Sequence, residues 1–322
     1  MDNLTHSLAG AVLGQMGLKR KTGLAMPTLI IAANIPDIDA VAVLLGGHQH
    51  LALRRGITHG PIAMLILPLL LWAIMVWFDR WQTRRGKRPE KRLPLHKGWL
   101  LALAYIGTLS HPALDWLNSY GIRFLEPFSS QWFYGDTIFI IDIWIWAALI
   151  AGVWFSLRRE RKGYGKWQRP AWISFTAICA YIFANGLITG HAEAVAYERL
   201  QASDYTSAKR PALLVVANPV PIAFWQREIL WRDRINFGQE DYSLLTDFRI
   251  NRKVDYINYP NDMAKHAAKL DEDMRAYLFW SRMPYARVLP KGKNTEVVMR
   301  DQRFSNPLAE DRFTATTLVP DE

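Results

Sequence analysis

Residues 98–118 read GWLLALAYIGTLSHPALDWLN, and the six near the end, Ser110-His111-Pro112-Ala113-Leu114-Asp115, decide what kind of fold this chain adopts. The run is apolar and matches the ~20 residues that cross a hydrocarbon core of ~30 Å. It nevertheless carries an imidazole and a carboxylate four positions apart, which a helix places on one face. An ionisable group inside a membrane helix costs about 2.5–3.5 kcal/mol even on a lenient scale, so it needs a partner. A metal ion held by both side chains is one way to supply it.

The same combination of apolar sequence and isolated polar residue recurs on both sides of this run. Apolar stretches also cover 23–47, 61–78, 137–157 and 171–190, which makes five expected spans, and the shorter Leu4–Leu18 segment reads as a short or re-entrant helix. Asn34-Ile35-Pro36-Asp37-Ile38-Asp39 interrupts the first long stretch, where Pro36 removes a backbone donor and turns Ile35 away from helix, so a broken span is expected. Thr5-His6 opens the short helix, Arg55-Gly56-Ile57-Thr58-His59 precedes the stretch 61–78, and Asp142 interrupts 137–157.

Charge divides the chain. The net charge is +10, and residues 1–190 hold 20 Lys and Arg against 10 Asp and Glu, whereas 191–322 hold 19 of each. Of those 20 cations, 17 fall in three clusters, at 19–21, 80–97 and 158–169, between apolar runs. Such clusters mark the cytoplasmic side of a membrane protein, so no nucleic-acid partner is expected. The expected partner is the lipid bilayer. The spans then alternate so that residues 191–322 lie outside the cytoplasm.

The expected architecture is therefore an all-α multi-pass membrane domain over 1–190, with about five spans and a short N-terminal helix, followed by a small α+β extracytoplasmic domain over 191–322. In that second domain Leu213–Ala217, Ile222–Trp231, Tyr242–Ile250 and Val297–Met299 read as strands, with turns at Asn218-Pro219 and Asn236-Phe237-Gly238. Met263, Ala267, Leu270, Met274 and Leu278 recur at helical spacing behind Asn261, which reads as an N-cap.

With only Cys179 available, a metal must rest on imidazole and carboxylate. That donor set suits a divalent transition ion, with Zn the default for hydrolysis and Mn or Fe the alternatives. The topology brings His6, Asp37, Asp39, His59, His111, Asp115 and Asp142 toward one outward-facing pocket, enough for one or two ions. His6, Asp37, His59, His111 and Asp115 are the expected metal ligands. Asp37, Asp39 and Asp142 are the expected catalytic or orienting carboxylates, and Arg55 is the expected ligand for an anionic substrate such as a phosphoester or a lipid-linked substrate.

Taken in this order, Thr5-His6, Asn34 to Asp39, Arg55 to His59, Ser110 to Asp115 and Asp142 resemble the membrane-bound family known as YdjM-like, firmly over about residues 1–157. The resemblance implies a bacterial inner-membrane protein with metal-dependent hydrolase activity. A fainter likeness in motif order connects the chain with zinc-dependent phospholipase C and the P1-type nucleases. That likeness implies Asp37, His59, His111 and Asp115 around one ion, with His6 and Asp115 holding a second, Asp115 bridging, and Asp37 doubling as base. The His-x-x-x-Glu element of that class has no counterpart here. Two other functions fit the same residues: a metal or proton transporter, and a non-catalytic membrane anchor stapled by a structural metal.

Overall fold

The computed structural model describes residues 1–202, 214–233, 236–256, 262–304 and 313–320. The described chain forms two compact units, one of residues 1–39 and 55–185, the other of residues 40–54 and 186–322.

The first unit is helical. Helix α1 (Asn3–Gln15) begins where Asp2 Oδ1 accepts the backbone N–H groups of Leu4 and Thr5, at 3.0 and 3.1 Å. Trp146 Nε1 donates to Thr5 Oγ1 at 2.9 Å, which ties that start to a later helix. Helix α2 (Ala25–Ala32) ends just before the sequence break, and Ile35–Leu45 continues as a 3₁₀ segment bent by 43° from it. The break expected at Asn34 to Asp39 is thus where the helix stops. Asn34 secures it by donating to Ile30 O at 2.8 Å and to Ser7 Oγ at 3.0 Å.

Helix α3 (Gln49–Leu53) belongs to the second unit. The first unit resumes at a 3₁₀ turn over Ile57–His59 and continues with α4 (Pro61–Arg84), α5 (Lys97–Trp116), α6 (Ile143–Arg161) and α7 (Arg169–Gln201), whose last part enters the second unit. Proline occupies the first position of α4, where its missing N–H costs nothing. Close approach of α2 to its neighbours depends on two glycines. A Cβ on Gly10 of α1 would lie 2.7 Å from Leu29 O, and one on Gly107 of α5 would lie 2.5 Å from Ala32 Cβ. Small residues at both crossings let backbone meet backbone, as in membrane helix packing.

Among the described residues two helices, α4 and α7, are long and apolar enough to cross a membrane, or three segments if the bent pair of α2 and Ile35–Leu45 counts as one. The five spans expected from sequence are not supported. The run 98–118 does form a helix, but Ser110, His111, Pro112 and Asp115 break its apolar composition, and Leu100, Leu103, Ala104, Gly107 and His111 face the protein interior. The run 137–157 loses its first residues to irregular structure, because α6 starts only at Ile143, and the helix ends on Arg158, Arg159 and Arg161. An apolar run of this length serves a buried core helix as well as a span.

The second unit carries two antiparallel sheets. Strands β1 (Leu214–Pro219), β2 (Gln226–Arg232), β3 (Asn236–Ser243) and β4 (Asp247–Tyr256) form the first, in that order. Ala217, Ile229 and Tyr242 pack with Ile188, Ala192 and Ala196 of α7. Two short helices, α8 (Asp262–Leu270) and α9 (Glu272–Trp280), precede a second sheet of β5 (Pro284–Lys291), β6 (Asn294–Asp301) and β7 (Thr314–Pro320). Tyr277 donates to Phe313 O at 2.7 Å, and the Trp280 ring stacks on Phe313 with centroids 5.1 Å apart. Residues 40–54 join this unit through the His48 ring, which meets Tyr277 edge-on at 5.6 Å.

Several expectations need correction. The single helix expected over Met263–Leu278 is two, because Asp271 caps α9 by accepting the N–H groups of Asp273 and Met274. Asn236-Phe237-Gly238, expected as a turn, lies in β3, where Phe237 and Gly238 pair with Arg232 and Trp231 of β2. The strand expected over Tyr242–Ile250 is divided between β3 and β4 by a turn at 244–246. Leu213 and Asn261 lie outside the described residues.

Candidate metal centre

Three stretches of the first unit deliver the four side chains of one buried cluster. Asp37 comes from the 3₁₀ segment after the break in α2, His59 from the turn before α4, and His111 and Asp115 from successive turns of α5. Each offers a ligand atom, and these atoms all lie within 4.8 Å of one another. It is the one group of this kind among the described residues. His59, His111 and Asp115 are buried almost completely.

The hydrogen bonds around the cluster fix which nitrogen of each imidazole is available. His111 Nδ1 lies 2.7 Å from Ala33 O, and since a carbonyl only accepts, Nδ1 carries the proton. His59 Nδ1 lies 2.9 Å from Thr58 Oγ1, whose hydroxyl donates to Asp39 Oδ2 at 2.9 Å. That hydroxyl therefore accepts from Nδ1–H. In both rings Nε2 is left with its lone pair, is buried, and finds no hydrogen-bond donor. Both Nε2 atoms stand 3.5 Å from Asp115 Oδ2, and His111 Nε2 stands 3.6 Å from Asp37 Oδ1. These separations are long for hydrogen bonds and ordinary for two ligands sharing an ion, given metal–ligand bonds of about 2.0–2.2 Å. Orphaned acceptor nitrogens beside carboxylates are a costly arrangement that a divalent cation resolves, so the residues present fit a metal ion.

Of the other expected site residues, His6, Asp39 and Arg55 surround this group and Asp142 does not. His6 hydrogen-bonds Asp115 Oδ1 through Nε2 at 3.2 Å and stacks on the His111 ring with centroids 3.8 Å apart, yet it lies outside the four-residue group. The Met1 nitrogen also meets Asp115 Oδ1. Asp39 sits behind His59, where Oδ2 takes the Thr58 hydroxyl and the Arg55 N–H, the latter at 2.7 Å. Asp142 is not brought to the cluster. Its Oδ1 caps α6 by accepting from Trp144 N and Ile145 N at 2.9 and 3.1 Å, and its Oδ2 takes the Tyr181 hydroxyl at 3.0 Å.

Arg55 is 4% exposed and turned inward. Its Nε lies 3.0 Å from Asp115 Oδ2, one terminal nitrogen donates to Asn118 Oδ1 at 3.0 Å and Gly121 O at 3.3 Å, and the guanidinium lies 4.7 Å from the Tyr120 ring centroid. The backbone at Arg55 takes φ +51°, in the left-handed region, with its N–H held by Asp39 and its carbonyl accepting from Arg123 N at 2.9 Å. Sequence reading missed Ala33, Thr58, Asn118 and Tyr120 as supporting groups. Of these only Thr58 left a trace, as the neighbour of His59.

Helices apolar enough for a bilayer, together with a buried His/Asp group that could bind a metal ion, define a membrane protein with a candidate metal centre. The chain belongs to the YdjM inner membrane protein family, whose family model matches residues 1–192 and so includes the entire cluster. No curated protein and no solved structure matches the chain.

Proposed function

We propose that this protein is a membrane-embedded metal-dependent hydrolase. The observation that carries the reading is the pair of buried imidazole Nε2 lone pairs directed at the Asp115 carboxylate, each fixed from behind by a proton on Nδ1. Asp37, His59, His111 and Asp115 would hold the ion, with zinc the best match to two nitrogens and two carboxylates. Such an ion supplies Lewis acidity, which acidifies water and polarises a substrate oxygen. Asp37, at the edge of the group, accepts a proton from water. Asp39 acts through Thr58 to keep His59 in the correct tautomer, and Arg55 holds Asp115 in place. His6 orients Asp115 from its other oxygen and is the further nitrogen that a second ion sharing Asp115 would use.

The positive-inside bias of the basic clusters supports an orientation with their side of α4 and α7 in the cytoplasm and residues 191–322 outside it. A site in the membrane domain gives access to lipid or lipid-linked phosphoesters, which are the proposed substrate class.

Elemental analysis of protein purified without chelator is the test, combined with a screen of phosphoester, ester and amide substrates on the same detergent-solubilised sample. About one zinc per chain is expected, lost in His111→Ala together with hydrolysis. Protein that folds without any transition metal would overturn the reading. Metal bound normally with no hydrolysis of any substrate would favour a structural ion in a non-catalytic anchor.

A further inference from the structure

A second site, remote from the His/Asp cluster in sequence, lies between α6 and α7. Small residues on the facing sides of the two helices leave a groove of about 680 Å³. Its floor is where the helices touch. A Cβ on Gly152 would come within 2.6 Å of Ser174 Cβ, and Ser174 Oγ donates to Ala148 O at 2.7 Å. Phe155 and Ile173 wall the groove, and both are exposed along its flank.

One end of this apolar groove is cationic. Arg158, Arg159, Lys162 and Arg169 line it there, and no acidic side chain lines it. Glu160, the acid nearest in sequence, is engaged by Lys19 and by Arg20, the latter at 3.2 Å. Arg159 Nε is buried without a hydrogen-bond partner among the described residues, a donor left for an acceptor from outside them. The guanidinium of Arg159 lies 5.1 Å from the Tyr164 ring centroid, which holds it at the mouth.

The apolar part runs along α7, a helix apolar enough to lie in a bilayer, so its natural filling is hydrocarbon. The mouth demands an anion with several acceptor oxygens, and phosphate meets guanidinium in that geometry. A volume within the roughly 300–1,000 Å³ of specific small-molecule sites argues for a defined occupant. We propose that this groove binds one anionic glycerophospholipid, with its headgroup phosphate among Arg158, Arg159, Lys162 and Arg169 and an acyl chain between α6 and α7. Basic pockets beside membrane helices recognise such headgroups by the same electrostatics.

Native mass spectrometry of the full-length protein in detergent tests this. The probes are dioleoyl phosphatidylglycerol, dioleoyl phosphatidylcholine and glycerol phosphate, titrated separately. Saturable binding of phosphatidylglycerol is expected, at least tenfold tighter than phosphatidylcholine, with no binding of glycerol phosphate over the same range. Each cation neutralised should weaken it about fivefold, from about 1 kcal/mol per basic residue, so Arg159→Gln with Arg169→Gln should lose an order of magnitude or more. Ala177→Phe, on the exposed side of α7 and lining the groove, should abolish binding with every cation retained. If the arginine pair misfolds by circular dichroism, Arg158→Gln with Lys162→Gln gives the same reading. Equal binding of both lipids, or an Ala177→Phe protein that binds normally, would reduce the cations to ordinary topology signals. Tight binding of glycerol phosphate would make this a soluble-anion site and overturn the proposal equally.

Discussion

Arg55 shows how one side chain can be claimed by two roles while its contacts favour one. Its sequence position beside the His59 motif suggests contact with an anionic substrate, but three of its contacts are to Asp115, Asn118 and Gly121, inside the protein. Removing one member of a buried ion pair costs about 3–5 kcal/mol because the other is left uncompensated. Arg55→Ala should therefore lose bound metal and turnover together, as zinc titration and rate measurement on one sample would record. Full metal content with selectively lost turnover of anionic substrates would restore the substrate-binding role. Asp142 makes the converse point: an acid in an apolar run suggests chemistry, and here it caps a helix with both oxygens engaged.

At the scale of elements, the centre depends on how closely α5 approaches α2. The Ala33 carbonyl that fixes His111 sits just past the end of α2, and Gly107, one turn before His111, is where the two helices meet. Gly107→Val should push α5 outward and weaken zinc affinity by 10- to 100-fold, the range seen when supporting contacts of metal ligands are lost, with every ligand still present. A chelator competition assay measures it, and wild-type affinity would show that the crossing tolerates the added bulk. The second unit offers a separate electrostatic prediction. Burial pushes the Asp301 carboxyl up, and the Arg303 guanidinium, with Nε at 2.8 Å, more than reverses this, so Asp301 titrates below its ordinary value. Its stabilising contribution is complete above about pH 4, where the unfolded carboxyl is ionised, and is lost as pH falls through the lower folded value. Asp301→Asn should remove that acid dependence and expose the β5–β6 amides to hydrogen exchange at neutral pH. Unchanged exchange would mean that the pair contributes little.

For the whole molecule, the orientation proposed from the basic clusters predicts that a reporter fused after Glu322 is active only outside the cytoplasm. Cytoplasmic activity would invert the topology. What could be read in advance follows from what makes a residue conspicuous. His59, His111, Asp37 and Asp115 stand out because each is a polar residue within or beside apolar sequence, and they do converge. Their supports do not stand out, since a carbonyl such as that of Ala33 and a hydroxyl such as that of Thr58 acquire meaning only once the chain has folded. The number of spans is not legible for a related reason: an apolar run records that a helix is buried and is silent on whether protein or lipid covers it. Strands β5 and β7 escaped notice because Pro284, Arg287, Pro290 and Lys291 in one, and the threonines of the other, give no clean apolar alternation.

The order in which the four candidate ligands occur along the chain bears on biosynthesis. Asp115 is the last of them, so a ribosome has delivered the complete donor set before any residue of 186–322 has been made. At about 5–20 residues per second the 137 residues of 186–322 take roughly 7–27 s more. A cation held by this group would then be open to capture by the nascent chain, and would cross-brace the amino-terminal bundle while the carboxy-terminal sheets are still being synthesised.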